Sequence, residues 1–423
     1  MQMTTMSRFS LITVVLAVGS GCTGIVPPSG QPPVPTVDIT ITPSLVPGRI
    51  PDRAPTATLV PVPTATGLDP CVQSQPTDPA RMSVTFVADW DGDLEIYTAD
   101  ATGGNVTQLT RGTTDEIAPA WSPDGKILAF VSGSVGEPGQ LQTMSTTGFE
   151  ETVLVPNAIV IPPIVWSMDG RHLGFRGVRN GASDYYVVDV SDGSQTRLGV
   201  GEGYSALGNL SWSPSSDALA LDVGLDSSGA MRGVLLVSLH QPEVHRLLPQ
   251  PTGAYIDFEP QWHPSEDLIL LISAPISDYR LQQIYVARAD GSDRQQLTDT
   301  DTQKLLAAWS PNGRLIAYGA LTYAIDSGGQ YVVLDQQINV LSRDGGNERV
   351  VIKGIEVGST WFSWAPDSRH LAFIASEADR ADRYDLYVTD VCVPGEDLIA
   401  ENVASITPAW NVWPAEALDA SDE

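Results

Sequence analysis

The sequence predicts an all-β fold in which four-stranded units are arranged around an axis as a β-propeller. Three observations predict it. Seven of the ten tryptophans recur at spacings of 45 to 55 residues, turn sequences of the Ser-Pro-Asp-Gly type follow several of them, and helical periodicity is hard to find beyond residue 80. A period of about 40–50 residues with several short strands per period is typical of a propeller.

The clearest copy of the repeat is residues 118–130, which read Ala-Pro-Ala-Trp-Ser-Pro-Asp-Gly-Lys-Ile-Leu-Ala-Phe. Ser-Pro-Asp-Gly has the residue preferences of a type I turn, so it predicts a turn between a strand A that ends at the tryptophan and a strand B that follows. Two further β-rich stretches, such as 283–287 and 296–298, supply strands C and D. The repeat tryptophans are Trp121, Trp166, Trp212, Trp262, Trp309, Trp364 and Trp410.

The first and last copies of the repeat are incomplete. Residues 83–88, 94–99 and 106–110 supply strands B, C and D without a strand A, and residues 407–410 supply a strand A with nothing after it. We predict that these halves complete one blade, which gives a seven-bladed propeller whose first blade is closed by the C-terminal strand. Six blades is the alternative. Closure removes two sheet edges that would otherwise favour aggregation.

The repeat also carries a family resemblance. Pro-x-Trp-Ser-Pro-Asp-Gly, then Leu-Ala-Phe, Ile-Tyr and Leu-Thr, is similar to the TolB-like propeller repeat over residues 81–413. Similar repeats occur in propeller domains of prolyl oligopeptidases and in oligogalacturonate lyases. The resemblance implies a propeller fold and protein–protein interaction in the cell envelope. Its motif is structural, so it transfers no partner-binding residue.

The N-terminus has the pattern of an export signal. An apolar run at 9–18 follows Arg8, and the small residues 19–21 precede Cys22. The run is too short to cross a membrane stably but fits a secretory signal. The cysteine after small residues resembles the lipobox of bacterial lipoproteins, although Gly19 stands where leucine is usual. We therefore expect a signal peptide at 1–21 and a lipid on Cys22; the alternative is an ordinary signal peptide with an incidental cysteine.

Composition divides the rest of the chain. Fourteen of the 32 prolines fall between residues 23 and 80, mixed with threonine, valine and alanine. Such a segment cannot bury enough apolar surface to fold and favours polyproline II. We expect a disordered stalk at 22–80, the propeller at 81–413 and an acidic tail at 414–423.

The charge balance limits the partners. With 51 acidic and 23 basic side chains the net charge is −28, which argues against sequence-independent nucleic-acid binding and against an anionic-lipid-binding surface. We expect a monomer outside the cytoplasm, in the periplasm or on the cell surface, held to the membrane only by its lipid anchor.

The two remaining cysteines predict a disulfide. With Cys22 lipidated, Cys71 and Cys392 are an even pair in an oxidising compartment. Cys392 lies in the C–D turn of the last unit, and Cys71 lies shortly before strand B of the first unit, which is the neighbouring one. The alternative is two unpaired thiols.

The connections differ between the two faces of the predicted disc. Antiparallel strands place the A–B and C–D turns on one face and the B–C and D–A connections on the other. The latter vary in length, as at 133–140, 224–232, 274–282 and 321–330. Variable loops on a rigid scaffold commonly carry recognition, so we predict the binding surface there. Acidic and aromatic candidates in these connections are Asp115, Glu116, Tyr204, Asp257, Tyr279 and Trp361. The alternative is a solvated acidic surface with aromatics that cap the blades.

The histidines do not indicate a catalytic site. His172 and His370 occupy one slot of the repeat just before strand B, His263 replaces the turn serine, and His240 and His245 flank a C–D turn. A lyase similar to the oligogalacturonate enzymes needs several histidines near the pore to bind metal. We therefore expect a non-catalytic scaffold that binds an envelope protein, a peptide or a glycan. We expect it to have no cofactor. The alternatives are a polysaccharide-acting enzyme and a carbohydrate-binding module.

Asp89, Asp91 and Asp93 alternate as in a calcium loop. The full twelve-residue pattern with its terminal glutamate is missing, and Asp-Gly between two strands is a favoured hairpin turn. We predict a structural turn, with a cation site as the alternative.

Overall fold

A computed structural model describes Cys71 and, with internal gaps, residues 79–412. The described residues are Cys71, 79–90, 92–133, 138–146, 150–179, 181–200, 204–225, 232–249, 255–325, 331–354, 362–376, 384–395, 397–404 and 408–412. The expected signal peptide, Cys22, the acidic tail and nearly all of the expected stalk lie outside these ranges. Among the described residues, no helix has the length and apolar character needed to cross a membrane.

The described chain is composed almost wholly of β-strands. In chain order they are β1 (Met82–Ala88), β2 (Glu95–Asp100), β3 (Thr107–Gln108), β4 (Glu116–Trp121), β5 (Ile127–Ser132), β6 (Gly139–Ser145), β7 (Glu151–Trp166), β8 (His172–Arg179), β9 (Ala182–Asp189), β10 (Gln195–Arg197), β11 (Ser205–Trp212), β12 (Ala218–Gly224), β13 (Arg232–Ser238), β14 (Gln241–Leu247), β15 (Tyr255–Trp262), β16 (Leu268–Pro275), β17 (Gln283–Arg288), β18 (Gln295–Gln296), β19 (Gln303–Trp309), β20 (Leu315–Ile325), β21 (Tyr331–Ser342), β22 (Arg349–Lys353), β23 (Phe362–Trp364), β24 (His370–Ala375), β25 (Tyr384–Asp390), β26 (Asp397–Val403) and β27 (Ala409–Val412). The all-β prediction is confirmed.

The strands pair as antiparallel units in which each strand lies beside the next one in sequence. Strands β11–β14, β15–β18 and β19–β22 each form a four-stranded sheet. Strand β7 belongs to two units, because its residues 151–158 pair with β6 whereas its residues 159–166 pair with β8. It therefore supplies strand D of one unit and strand A of the next.

The C-terminal strand completes the first unit. Strand β27 pairs antiparallel with β1, so that Trp410 lies opposite Val84 and Ala409 opposite Thr85. The innermost strands β4, β7, β11, β15, β19, β23 and β27 contact one another in that order, and β27 contacts β4. The predicted pairing of the two half-units is thus observed. The number of seven blades stays a prediction, which these contacts support.

Five of the seven repeat tryptophans donate an indole hydrogen bond to a neighbouring unit, whereas Nε1 of Trp262 and of Trp309 finds no partner among the described residues. Trp212 Nε1 donates a hydrogen bond to the carbonyl of Val165 at 3.0 Å, and Val165 immediately precedes the tryptophan of the preceding unit. The same pattern links Trp166 to Ala120, Trp364 to Ala308 and Trp410 to Ser363. These rings are largely buried, so each adds apolar burial to a hydrogen bond across a seam. The prediction that the tryptophans pack between blades is confirmed.

The A–B turns use one repeated network of hydrogen bonds. The Ser122 hydroxyl donates to Asp124 at 2.7 Å and accepts the Ile127 N–H at 3.0 Å, while Gly125 has a φ of 69°. Ser167, Asp169 and Gly170 repeat this arrangement. The serine hydroxyl therefore holds the backbone at both ends of the turn.

His263 takes the place of the serine in one A–B turn. Its Nδ1 accepts the N–H groups of Ser265 and Glu266 at 3.2 and 3.1 Å, and its Nε2 lies 3.1 Å from the carbonyl of Gly313 in the next unit. Because Nδ1 accepts, the proton that bonds the carbonyl is on Nε2. Burial lowers the pKa of His263, which keeps the imidazole neutral.

Cys71 and Cys392 form the predicted disulfide. Cys392 lies in the turn between β25 and β26, as expected, and Asp390 accepts its N–H at 2.8 Å. Arg349 donates to the Cys71 sulfur at 2.7 Å and to the carbonyl of Val391 at 2.9 Å. The bridge therefore ties the chain before the first strand to the last unit.

Candidate binding surface

The B–C and D–A connections meet at one end of the sheets, as their alternation predicts. Asp115 lies in the D–A connection between β3 and β4. Its carboxylate accepts the N–H of Leu94 at 3.2 Å, and its carbonyl accepts the N–H of Gly133 at 2.7 Å. Since Leu94 and Gly133 lie in the B–C connections of two different units, Asp115 links three connections on this face.

Glu116 is buried against a second carboxylate and does not contribute to an exposed rim, so the expectation for this residue is wrong. The hydroxyls of Thr114 and Ser132 donate to its Oε1 at 2.7 and 3.0 Å. The N–H of Gly112 donates to Oε1 of the neighbouring Glu95 at 2.6 Å. Both Oε2 atoms, of Glu95 and of Glu116, are buried, and among the described residues neither finds a hydrogen-bond donor. Burial, together with the nearby Glu95, raises the pKa of Glu116 to about 7.

Asp257 is also wrong as a surface candidate, because it is fully buried on β15. Arg294 donates to its two carboxylate oxygens at 2.7 and 2.9 Å, and the guanidinium lies 4.7 Å from the centroid of the Tyr285 ring. A buried carboxylate requires such pairing. Asp257 therefore stabilises its own sheet.

Tyr204 lies at an open cleft of about 610 Å³ between β9–β10 and β14. In the same cleft Arg197 donates to Asp184 at 2.5 Å, and His245 Nε2 is held between two backbone carbonyls at 2.9 and 3.0 Å. The buried Ser183 hydroxyl has no hydrogen-bond partner among the described residues. The volume lies in the range of small-molecule sites, roughly 300–1,000 Å³.

Tyr279 is exposed in the 274–282 connection, as expected. The neighbouring Arg280 pairs with Asp278 at 2.7 and 2.8 Å, and its guanidinium lies 3.8 Å from the centroid of the Tyr331 ring. This stacking joins the B–C connections of two successive units. The remaining aromatic candidate, Trp361, lies outside the described residues.

The longest predicted loop is instead a protruding hairpin. Residues 321–330 were expected to be a loop, but β20 continues to Ile325 and β21 begins at Tyr331, which is its cross-strand partner. The side chains of Ile325, Leu334 and Tyr331 are 62%, 63% and 51% exposed. We call the exposed apolar side chains of the β16–β17 connection and of the β20–β21 hairpin the hairpin surface. They are Ile276, Tyr279, Leu281, Ile325, Tyr331, Val332 and Leu334. Contiguous exposed apolar side chains mark interaction sites.

A polar network on the inner strands was missed by the sequence reasoning. Several A strands bulge three residues before their tryptophan, with a positive φ at Glu259 of 53°. Asn209, three residues before the preceding tryptophan, donates to the Glu259 carboxylate, while Asp222 accepts the Glu259 N–H at 3.2 Å and pairs with Arg232. Burial, and then the Asp222 charge, raise the pKa of Glu259 to about 7. Asn209 and Glu259 each lie three residues before a repeat tryptophan, and this constant spacing is the sequence signal that would have identified them.

The histidines lie where the repeat places them. His172 and His370 begin strands β8 and β24 of different units. In the ranges that the structure describes, no three or more His, Cys, Asp or Glu side chains are grouped so as to hold a metal ion. Asp91 lies outside those ranges, so the cation site at Asp89, Asp91 and Asp93 stays an untested alternative.

Comparisons with known proteins agree with this architecture. No family model matches the chain. A protein TolB homolog of Chlorobaculum tepidum is 30% identical over 120 residues, which are 28% of this chain and 27% of the relative. The chain thus spans about a quarter of the length of the curated relatives it matches.

Solved structures show the same fold. The β-propeller domain of the Trilobed protease from Pyrococcus furiosus, described as having an open velcro topology, matches with a TM-score of 0.53 at 12% identity over 78% of this chain and 97% of that one. An oligogalacturonate lyase in complex with manganese matches with a TM-score of 0.54 at 13% identity over 77% of this chain and 86% of that one. Identities this low show the fold alone. The chain therefore has a β-propeller fold, and about a quarter of its length is similar in sequence to a TolB homolog.

Proposed function

We propose that this chain is a non-catalytic, lipid-anchored scaffold of the bacterial cell envelope that binds a protein partner through the face formed by its B–C and D–A connections. The TolB-like propeller supports a protein-binding role, and the partner is another envelope component. The disulfide between Cys71 and Cys392 fits an oxidising compartment outside the cytoplasm. The anchor is the lipid on Cys22.

The hairpin surface is the observation that carries this proposal. It lies on the face with connections of variable length, and its side chains include Leu334 at 63% exposure and Tyr331, whose ring is covered by Arg280. Aromatic residues and arginine are enriched where binding energy concentrates in protein interfaces. The surface thus combines apolar area with the residue types that anchor partners.

Site-specific photo-crosslinking in cells tests the binding role. A photo-reactive amino acid in place of Tyr331 should crosslink one envelope protein, whereas the same group in place of Val153, which is similarly exposed on β7, should not. The Tyr331 crosslink should disappear when Leu334→Lys is added. Equal products from both positions, or a product insensitive to Leu334→Lys, would count against the hairpin surface as the binding site.

The anchor is tested separately by mass spectrometry of the membrane fraction. A diacylated N-terminal peptide beginning at Cys22 is expected. A mature N-terminus without lipid would remove the anchor from the proposal while leaving the binding role untouched.

The cleft beside Tyr204 favours a second candidate function, the binding of a glycan. It combines the exposed aromatic ring of Tyr204 with the largely exposed guanidinium of Arg197. A glycan array with wild-type and Tyr204→Ala protein tests it, and a signal that is lost in the variant would support it. A uronide-cleavage assay with added manganese tests the enzyme alternative, because turnover would replace the scaffold proposal.

A further inference from the structure

The tip of the β20–β21 hairpin extends beyond the strands on either side of it. Strand β19 pairs with β20 only as far as Leu321, and β22 pairs with β21 only from Gln337 onward. Strands β20 and β21 continue to pair with each other as far as Ile325 and Tyr331. Within the described part of the chain, no strand lies along the outer edges of 322–325 and 331–336. Gln336, at the inner end of the second edge, is buried, so backbone N–H and C=O groups available for a further strand lie at 322–325 and 331–335.

The edge at 331–336 lacks two common edge-blocking residues, although it contains a bulge and Asp335. Its sequence, Tyr-Val-Val-Leu-Asp-Gln, contains neither proline nor lysine, which are common edge-blocking residues. Successive residues of a strand point to opposite faces, so the exposure of both Tyr331 and Val332 places solvent on both faces of the tip. A bulge near Leu334 turns that side chain outward.

The two faces of the tip differ in chemistry. Cross-strand partners share a face, so Tyr331 lies beside Ile325, and the ring of Tyr323 meets that of Tyr331 edge-on at 6.5 Å. Arg280 covers Tyr331 on this aromatic face. The opposite face carries the smaller Val332. Apolar side chains of an added strand would therefore pack best on the aromatic face.

Carboxylates lie near the β20 side of this surface and on β21. Tyr323 donates from its hydroxyl to Gln303 at 2.5 Å, and Gln303 ends the connection that carries the exposed Asp299 and Asp301. Asp335 lies on β21 itself. The hairpin surface is thus apolar with an acidic rim.

Two of the nearby cations are already bonded, whereas Lys353, the cross-strand partner of Gln337, is exposed at the end of β22. Arg280 pairs with Asp278, and the buried ammonium of Lys304 donates to the Thr300 hydroxyl and to the Thr302 carbonyl, each at 2.6 Å. The acidic side chains of the rim and the net charge of −28 still favour a positively charged partner over an acidic one. A second copy of this chain brings the same rim and a net charge of −28, so it fits less well.

We propose that the edge of β21 at residues 331–335 receives an extended segment of a partner protein as an additional strand, in which apolar side chains alternate with lysine or arginine. The inference rests on the proposed function, since it states how the partner of the scaffold is held. Main-chain hydrogen bonds would supply affinity, and the alternate side chains would supply specificity.

Titration of the full-length protein with synthetic peptides tests the proposal. The probe is a fluorescent eight-residue peptide that alternates valine with lysine. It should bind wild-type protein, bind Val332→Lys at least tenfold more weakly, and bind the matched Val153→Lys control as tightly as wild type. The same peptide with glutamate in place of lysine should not bind. Absence of binding of the lysine peptide to wild-type protein would overturn the proposal.

Two further measurements separate strand addition from charge attraction. The lysine peptide with N-methyl groups on alternate backbone nitrogens should lose binding, and the unmodified peptide should protect amides of 331–335 from hydrogen exchange but not those of the outer strand at 349–353. Equal binding of the methylated peptide would overturn strand addition, yet a Tyr331 crosslink in cells would still support the scaffold. Dimerisation of the chain that is abolished by Val332→Lys would assign the edge to a second copy and overturn the heterologous partner.

Discussion

The A–B turns and the β20–β21 hairpin are opposite solutions for connecting two strands. In the turns, side chains such as Ser122 bond the backbone, and the same chemistry recurs from unit to unit. In the hairpin, the backbone edges extend past their neighbours and the side chains that project from it are apolar. The hairpin also falls in the longest tryptophan spacing, 55 residues between Trp309 and Trp364. Repeated chemistry therefore maintains the ring, and the departure from the repeat is where we propose the recognition surface.

The largest effect is expected where the ring closes. Trp410→Ala removes a buried indole and its hydrogen bond to the Ser363 carbonyl, and we expect a loss of about 3–5 kcal/mol in the free energy of unfolding. Trp90 is 44% exposed, so Trp90→Ala should cost clearly less. Urea denaturation of both variants measures the difference. Equal losses would mean that β27 does not close the first unit in solution.

A single methyl group in an A–B turn should be nearly as damaging. Gly313 has a φ of 69°, and a Cβ added to it would overlap the His263 imidazole. Gly313→Ala should cost about 3 kcal/mol, from roughly 1–2 for the left-handed backbone and 1–3 for overpacking. Gly354 has a φ of 71° with open space around it, so Gly354→Ala should cost only about 1–2 kcal/mol.

The same turn offers a test by rescue. His263→Ser restores the usual turn residue and removes the ring, so the double variant with Gly313→Ala should recover the overpacking part of the loss. Strictly additive losses in denaturation would show that the imidazole does not restrict Gly313.

Much of the architecture was predictable because it depends on local, repeated residues. The tryptophans, the Ser-Pro-Asp-Gly turns and the incomplete end copies predicted the closure between β27 and β1, and the cysteine positions predicted the disulfide. The burial of Asp257 was not predictable, because its partner Arg294 lies 37 residues away and has no fixed place in the repeat. The extension of β20 into the expected loop at 321–330 was missed because the other B strands have only six to eight residues, whereas β20 has eleven.

The buried pair of Glu95 and Glu116 should make stability depend on pH. The pKa of Glu116 is about 7 in the folded protein, above its ordinary value of 4.5. A raised folded-state pKa contributes stability that is fully present below about pH 4.5 and is lost as the pH rises through 7. The melting temperature should therefore fall between pH 5 and pH 8, with Glu259 adding to the same trend.

Replacement of one carboxylate isolates the contribution of this pair. Glu116→Gln keeps the shape, removes one charge and provides an amide that can donate to Glu95. The variant should be more stable than wild type at pH 8, and its pH profile should be flatter; the exposed Glu151→Gln is the control. A variant less stable than wild type at pH 8 would show that Glu116 is not strained by its neighbour.

The smallest change in the free energy of unfolding is expected for a substitution in the β20–β21 hairpin. This contrasts with the large losses expected for the tryptophans and turns of the ring. Leu334→Lys replaces a side chain that is 63% exposed, so the free energy of unfolding should change by no more than about 0.5 kcal/mol. Lysine on an open edge should also reduce self-association, which light scattering of heated samples can measure.

Leu128→Lys is the opposing control, since Leu128 is fully buried on β5 and the variant should unfold. If Leu334→Lys cost more than about 1 kcal/mol, which exceeds the usual effect of a surface substitution, the hairpin would be packed against the molecule and unable to receive a partner strand. A neutral effect on stability combined with lost crosslinking would instead assign this apolar surface to recognition, because nothing in the fold requires it.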